Sequence, residues 1–267
     1  MLKKNILLVF LLVTFVYGSL AQQRMVMIGG GKRPPDVLGK ISELSGGDAG
    51  KLLVITWATE QPEVSFEAFQ KDIATVSRIR LVKAPFRPLT EQSKTEFLQQ
   101  LKEATGLFFT GGDQNKIMEV LQDETLFKAL REKYDGGALF SGTSAGTAIM
   151  SGVMITGEGD FTVIDGSRVE TRRGLGLLNE IIVDQHFIKR SRHNRLIGLV
   201  LQNPNLLGVG IDEDTALLVK DNRHGEVLGS SRIMFIDGRK TNEPMRVFLL
   251  KKGDQIDLKS RKKTNGK

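Results

Sequence analysis

The residues best suited to do chemistry lie in Gly136-Gly137-Ala138-Leu139-Phe140-Ser141-Gly142-Thr143-Ser144-Ala145-Gly146-Thr147-Ala148. An apolar run fit for a buried strand stops at Gly142-Thr143-Ser144-Ala145-Gly146, and small helix-compatible residues follow. A serine on such a strand-turn-helix corner, with glycine on both sides, presents its hydroxyl beside the free N–H groups of the helix start. Ser144 is therefore the expected nucleophile. Clusters of Gly, Ser and Thr are also ordinary turn chemistry, so the reading depends on what else the chain supplies.

A serine hydroxyl is a poor nucleophile until a base, itself oriented by a carboxylate, takes its proton. The chain has three histidines. His224 sits in the polar turn Asp221-Asn222-Arg223-His224-Gly225, and His193 lies in an arginine-rich stretch. His186 follows the apolar run Ile181-Ile182-Val183 in Asp184-Gln185-His186-Phe187, with Arg190, Arg192 and Arg195 close behind, and is the candidate base. For the carboxylate, Asp212-Glu213-Asp214 stands between a glycine-rich strand and the apolar run Thr215–Val219. Charge there is costly unless it has work to do. Alternation separates Glu213 from Asp212 and Asp214 but does not choose among them.

One further stretch can serve the same site. Phe108-Phe109-Thr110-Gly111-Gly112-Asp113-Gln114-Asn115 delivers two glycines at a strand end, so the N–H of Gly112 or Asp113 can approach a reacting carbonyl while Gln114 orients a substrate. The competing account makes Asp113 a simple helix N-cap.

The elements that must position these residues follow from the pattern. Strand-like runs at Arg24–Ile28, Lys51–Trp57, Leu107–Thr110 and Ala138–Ser141 alternate with amphipathic stretches such as Glu63–Ala74 and Glu91–Ala104. The alternation predicts a three-layer α/β/α fold with a mostly parallel central sheet, whose ligands collect beyond the carboxyl ends of the strands. Gly29-Gly30-Gly31-Lys32-Arg33-Pro34 lacks dinucleotide-loop spacing, is no phosphate-binding Walker loop, and reads as a tight turn at the active-site rim. No histidine pair has metal spacing, and the acids at 212–214 lack the spread oxygen ligands of a calcium loop, so neither metal nor cofactor is called for.

Residues 1–21 combine Lys3 and Lys4, an apolar core and Ser19-Leu20-Ala21, the three parts of an export signal. The run is too short and too interrupted by Thr14, Tyr17, Gly18 and Ser19 for a stable membrane anchor. The mature chain is expected from about Gln22 and is secreted or periplasmic. With no cysteine, a thiol nucleophile, a disulfide framework and a thiolate-bound metal are excluded. The formal charge of +7 falls to +5 without Lys3 and Lys4. Residues 251–267 carry seven bases against Asp254 and Asp257, which is also +5, leaving 22–250 neutral. That is a solvated, frayed basic tail behind a domain at 22–250, with no face for nucleic acid.

Taken together and in order, Gly111-Gly112-Asp113-Gln114, Gly142-Thr143-Ser144-Ala145-Gly146, Asp184-Gln185-His186-Phe187 with Arg190, Arg192 and Arg195, and Gly210-Ile211-Asp212-Glu213-Asp214-Thr215-Ala216 resemble the cyanophycinases of the S51 serine peptidases. The resemblance runs from about Met25 to Leu250. It implies a fold similar to class I glutamine amidotransferases and a triad of Ser144, His186 and Glu213, with an oxyanion held by the N–H groups of Ala145 and of Gly112 or its neighbour. It further implies a peptide-like polymer substrate, cyanophycin, a poly-aspartate with arginine on each side-chain carboxyl, cut to β-Asp-Arg dipeptides. Gln114, Asp184, Gln185, Arg190, Arg192 and Arg195 would contact that substrate. A related dipeptidase that removes N-terminal aspartate shares the serine and the fold, and a dead-site binding protein is the rival outside enzymes. The resemblance also admits a homodimer, although no residue pattern marks an interface.

Overall fold

A computed structural model describes residues 22–160, 162–239 and 243–264. The expected signal segment, residues 1–21, lies outside the described residues. The first half of the chain carries β1 (Arg24–Ile28), α1 (Pro35–Leu44), β2 (Lys51–Ile55), α2 (Pro62–Ile73), β3 (Arg80–Lys83), α3 (Glu91–Glu103), β4 (Gly106–Phe109), α4 (Gln114–Val120), α5 (Glu124–Asp135) and β5 (Leu139–Thr143). The second half carries the four-residue α6 (Ala145–Ala148), β6 (Ser151–Gly159), β7 (Val169–Arg173), β8 (Leu178–Asp184), α7 (His193–Gln202), β9 (Leu207–Ile211), β10 (Thr215–Lys220), β11 (His224–Gly229), β12 (Arg232–Asp237), β13 (Arg246–Lys251), β14 (Gln255–Asp257) and β15 (Lys262–Thr264). Among the described residues no helix is long and apolar enough to cross a membrane.

The strands form two sheets. The larger has the order β15-β14-β11-β10-β1-β5-β4-β2-β3. It is parallel from β1 through β5, β4 and β2 to β3, and antiparallel from β10 outward. The second has the order β13-β12-β9-β8-β6-β7, parallel at β6, β8 and β9 and antiparallel at its edges. The α/β architecture with a parallel central region agrees with the sequence pattern. A second sheet was not expected, because β6, β7 and β13 mix exposed polar residues into their runs and carry no clean alternation.

Side-chain alternation sorts the core into layers. Val26, Ile28, Leu52 and Val54 face α1 and α2, where Val37, Ile41, Phe69 and Ile73 cover them. Met25, Met27, Leu53, Ile55 and Phe109 face the opposite way, into a core shared with α3, α5 and the inner side of the second sheet, including Val183, Val209, Ile211 and Phe235. Leu196, Leu199 and Val200 of α7 seal the outer side of that sheet over Ile182 and Ile236. Pro35 and Pro62 open α1 and α2 at positions where a missing N–H is no loss. Thr90 and Ser93 form a reciprocal cap on α3.

The basic tail departs from expectation. Residues 255–257 and 262–264 form β14 and β15 and extend the larger sheet, so the folded unit runs beyond 250 to Thr264. Ile256 and Leu258 are buried in the main core, and the Arg261 guanidinium is buried against Asp237. Two buried apolar residues and an internal ion pair outweigh the self-repulsion that the charge count suggests.

Candidate functional site

Every residue of β5 is buried, and the chain then turns sharply at Ser144, at φ 52° and ψ −111°. The glycines on either side are required by space. A Cβ on Gly142 would lie 2.5 Å from the Gly146 carbonyl oxygen, and one on Gly146 would lie 2.2 Å from that of Phe109. The N–H of Ser144 donates to the Ile28 carbonyl at 3.0 Å. The Thr147 hydroxyl donates to the carbonyls of Ile28 and Gly142 at 2.7 and 2.9 Å. Strain at a non-glycine residue with positive φ persists only where surroundings over-determine it, as they do here.

β8 delivers His186 to the same edge. Its N–H donates to the Gly29 carbonyl at 2.7 Å, and it too has positive φ, 48°. The imidazole lies flat against Gly30, where a Cβ would come within 2.2 Å of the ring. The turn between β9 and β10 brings in Glu213. His186 Nδ1 lies 2.6 Å from Glu213 Oε1, and His186 Nε2 lies 2.9 Å from Ser144 Oγ. A carboxylate beside Nδ1 selects the tautomer with the proton there, leaving Nε2 to accept from the serine hydroxyl. Burial holds the His186 pKa below the ordinary imidazole value, opposed by Glu213 and assisted by the positive charges of Arg190 and Arg192. A neutral ring able to take a proton results.

Around Ser144, Gly111 approaches closely, a Cβ there meeting the Ser144 Cβ at 3.4 Å. Gly112 has φ 140°, and a Cβ would lie 2.2 Å from the Ala58 carbonyl oxygen. Asp113 spends its N–H on that same carbonyl at 2.8 Å, and its carboxylate caps α4 by accepting from the N–H of Asn115. Of the two donors the sequence left open, the N–H of Asp113 is spent and that of Gly112 makes no backbone hydrogen bond among the described residues. The N–H of Ala145, next after the serine, likewise has no backbone partner among the described residues.

Residues 25–227 match peptidase family S51. The chain belongs to that family. Two cyanophycinases are among its relatives: one from Trichormus variabilis, 31% identical over 233 residues covering 81% of this chain and 78% of that one, and one from Synechococcus elongatus, 31% identical over 258 residues covering 88% and 79%. The fold is also that of a peptidase from an acI-B1 Actinobacterium, with a TM-score of 0.68, 21% identity and coverage of 89% and 98%. A putative peptidase E from Listeria monocytogenes has a TM-score of 0.57, 15% identity and coverage of 79% and 100%. The protein is accordingly a serine-type peptidase.

The S51 chain arranges its other expected site residues less uniformly than their spacing suggests. Asp184 and Arg195 are buried and paired with each other, the guanidinium donating from Nε at 2.7 Å and from Nη2 at 2.5 Å. Arg192 donates to the carbonyl and side-chain oxygens of Gln185 and lies 3.5 Å from Asp184. Burial lowers the pKa of Arg192 to about 10. These four residues, expected as direct substrate contacts, are spent on one another and brace the segment that carries His186. Gln114 likewise donates its amide to the carbonyls of Ile155 and Thr156 at 2.7 and 2.8 Å. Arg190 is the exception, exposed and, among the described residues, without a hydrogen bond or ion pair for its guanidinium, while its N–H donates to the His186 carbonyl at 2.9 Å.

The acidic trio divides its work in a way that spacing could not disclose. Glu213 takes the histidine. Asp212 accepts from the N–H groups of Ile188 and Lys189 at 3.1 and 3.0 Å and from the Ser231 hydroxyl at 2.9 Å, fastening the turn after His186. Asp214 accepts from the N–H of Lys32 at 2.6 Å, fastening the glycine turn under the ring. Ser231 and the scaffolding roles of Asp212 and Asp214 were missed by sequence reasoning, whereas Gly29-Gly30-Gly31 was flagged by its place at a strand end. His193 packs its ring edge-on against Phe187, 4.9 Å between centroids, and His224 is exposed at the start of β11.

Proposed function

We propose that this S51 peptidase hydrolyses cyanophycin to β-Asp-Arg dipeptides outside the cytoplasm, with Ser144 as nucleophile, His186 as base and Glu213 as its orienting partner. The observation that carries the reading is the continuous line Glu213 Oε1, His186 Nδ1, His186 Nε2, Ser144 Oγ, with steps of 2.6 and 2.9 Å. His186 takes the hydroxyl proton as Ser144 Oγ attacks an amide carbonyl. The oxyanion accepts from the N–H groups of Gly112 and Ala145, and His186 returns the proton to the leaving nitrogen. Water, deprotonated by the same ring, then releases the acyl group from the serine.

Two features support the finer substrate. Named cyanophycinases align over about four-fifths of the chain. The exposed guanidinium of Arg190, four residues from the base and unpaired among the described residues, is suited to the bidentate recognition of a substrate carboxylate. Export is expected from the leader pattern of residues 1–21.

The test is incubation of the mature protein with purified cyanophycin and with a panel of Asp-X dipeptides, with products read by mass spectrometry. Release of β-Asp-Arg that disappears in Ser144→Ala is expected. Cleavage of Asp-X dipeptides with intact polymer would replace this reading with an aspartyl dipeptidase. A serine-directed fluorophosphonate that fails to label Ser144 would remove the acyl-enzyme.

A further inference from the structure

At the far end of the second sheet, Asp237 gathers three guanidiniums. Arg261 Nη1 lies 2.6 Å from its Oδ1, Arg239 Nε lies 3.2 Å from the same oxygen, and Arg246 Nη1 lies 3.7 Å from Oδ2. One carboxylate thus meets three cations. Glu180 is a further acid whose field reaches Arg261, and the surplus remains positive. Arg261 also donates to the Asn205 carbonyl, and Arg239 to the carbonyls of Lys259 and Ser260 at 3.0 and 3.1 Å, so these two are structural.

Beside this cluster lies a cavity of about 140 Å³ lined by Asp237, Arg239, Arg246, Ser260 and Lys262, closed on one side by Pro244. Arg239 is spent on Asp237 and the carbonyls, whereas Arg246, Ser260 and Lys262 keep hydrogen-bond donors to offer. Among the described residues the Arg246 guanidinium makes no hydrogen bond; besides its 3.7 Å ion pair with Asp237 it lies over the Phe248 ring, 5.6 Å from the centroid, with Phe248 stacked on Phe235. Among the described residues the Lys262 ammonium and the Ser260 hydroxyl have no hydrogen-bond partner, Ser260 using only its backbone N–H on Asp257. Among the described lining residues Asp237 is the only carboxylate, and it is already shared among arginines. A guanidinium held over an aromatic ring, an ammonium and a hydroxyl around a small cavity with excess positive charge are the donor set for a tetrahedral or planar oxyanion.

The position separates this cavity from the serine. Asp237 pairs across from Leu207 at the start of β9, whereas Glu213 lies two residues past the end of that strand. At about 3.3 Å per residue, the two sites lie about 15–20 Å apart.

We infer that the folded basic tail and strands β12 and β13 form an oxyanion-binding exosite, built by Arg246, Lys262 and Ser260 on the Asp237 arginine cluster, at the end of the second sheet away from Glu213. Its ligand is a carboxylate or phosphate group, either a free small anion or the carboxylates of a polymeric substrate. The second source rests on the cyanophycin reading, but the site does not.

Titration of the mature protein with inorganic phosphate, followed by calorimetry and by amide NMR shifts at 246 and 260–262, tests the site without reference to catalysis. Saturable binding is expected, with at least about tenfold weakening in Arg246→Gln with Lys262→Gln, the loss expected for charge-assisted hydrogen bonds. Both substitutions are at exposed side chains, and unchanged turnover of a soluble small substrate certifies that the double variant is folded. Cosedimentation of Ser144→Ala protein with insoluble cyanophycin, with and without the two substitutions, identifies the source. Reduced cosedimentation assigns the site to polymer carboxylates, and undiminished cosedimentation with lost phosphate binding assigns it to a free anion. No saturable binding of phosphate, or binding indifferent to the double substitution, overturns the exosite.

Discussion

The proton line from Glu213 to Ser144 makes the chemistry of this peptidase a property of individual side chains, and two predictions belong there. His186 must be neutral to act as base, and burial keeps its pKa below the ordinary imidazole value while Arg190 and Arg192 press in the same direction. Protonation therefore removes activity only at pH below that lowered value, and kcat/KM should persist further into acid than an unperturbed histidine allows. Arg190→Gln removes one of the lowering influences, so the acid limb of the kcat/KM profile should move to higher pH. A limb that stays put or moves down would show that Arg190 lies outside the field of the ring. Glu213→Gln should lower kcat about 10⁴-fold with KM little altered, because the amide can favour the wrong imidazole tautomer while the pocket is otherwise intact. Ser144 and His186 were legible as residues because each announces itself locally, at the end of an apolar run beside glycine or a dense polar segment. Glu213 was not distinguishable by spacing from Asp212 and Asp214, whose partners are backbone N–H groups that appear only when distant turns meet.

Those turns are the working parts at the scale of elements. The loop after β1 lies beneath the imidazole, the segment after β8 carries it, and the acidic turn between β9 and β10 fastens both. Gly30→Ala would place a methyl 2.2 Å from the ring at a residue with φ 113°. The ring must move, and a displacement of about 1 Å from productive geometry costs about 10²-fold in rate. The expected outcome is a kcat loss of at least that size in a protein that still melts cooperatively by circular dichroism. Asp212→Ala should free the turn at 188–189 and raise KM more than it lowers kcat, since the turn also carries Arg190. Steady-state kinetics on wild type and variant separate the two constants. The first four strands named from the sequence were legible because they are buried on both faces and therefore almost wholly apolar. β7 and β13 were not, since they lie at sheet edges with most residues exposed: charge dilutes the pattern of β7, and β13 leaves the apolar Val247 and Leu249 in solvent.

For the molecule as a whole, the consequence is that the C-terminal segment belongs to the fold. Ending the chain after Leu250 would remove the buried side chains of Ile256 and Leu258, each worth about 1.5–3 kcal/mol, and would take Arg261 from the partly buried Asp237. A fall in Tm of about 10 °C, measured by scanning calorimetry, is expected for a domain of this size. A frayed tail would leave Tm unchanged. What the sequence by itself determined was local: the periods of the strands and helices, the glycine corner at 142–146, and the placement of a histidine at a strand end. What the tertiary structure decided was every assignment that depends on which distant groups meet. It spent Arg192, Arg195 and Asp184 within the protein and left Arg190 exposed. It chose Glu213 among three adjacent acids and folded a tail whose composition alone argues for solvent. The physical reason is that burial and pairing energies belong to contacts between segments, whereas composition and spacing report only what each segment could offer.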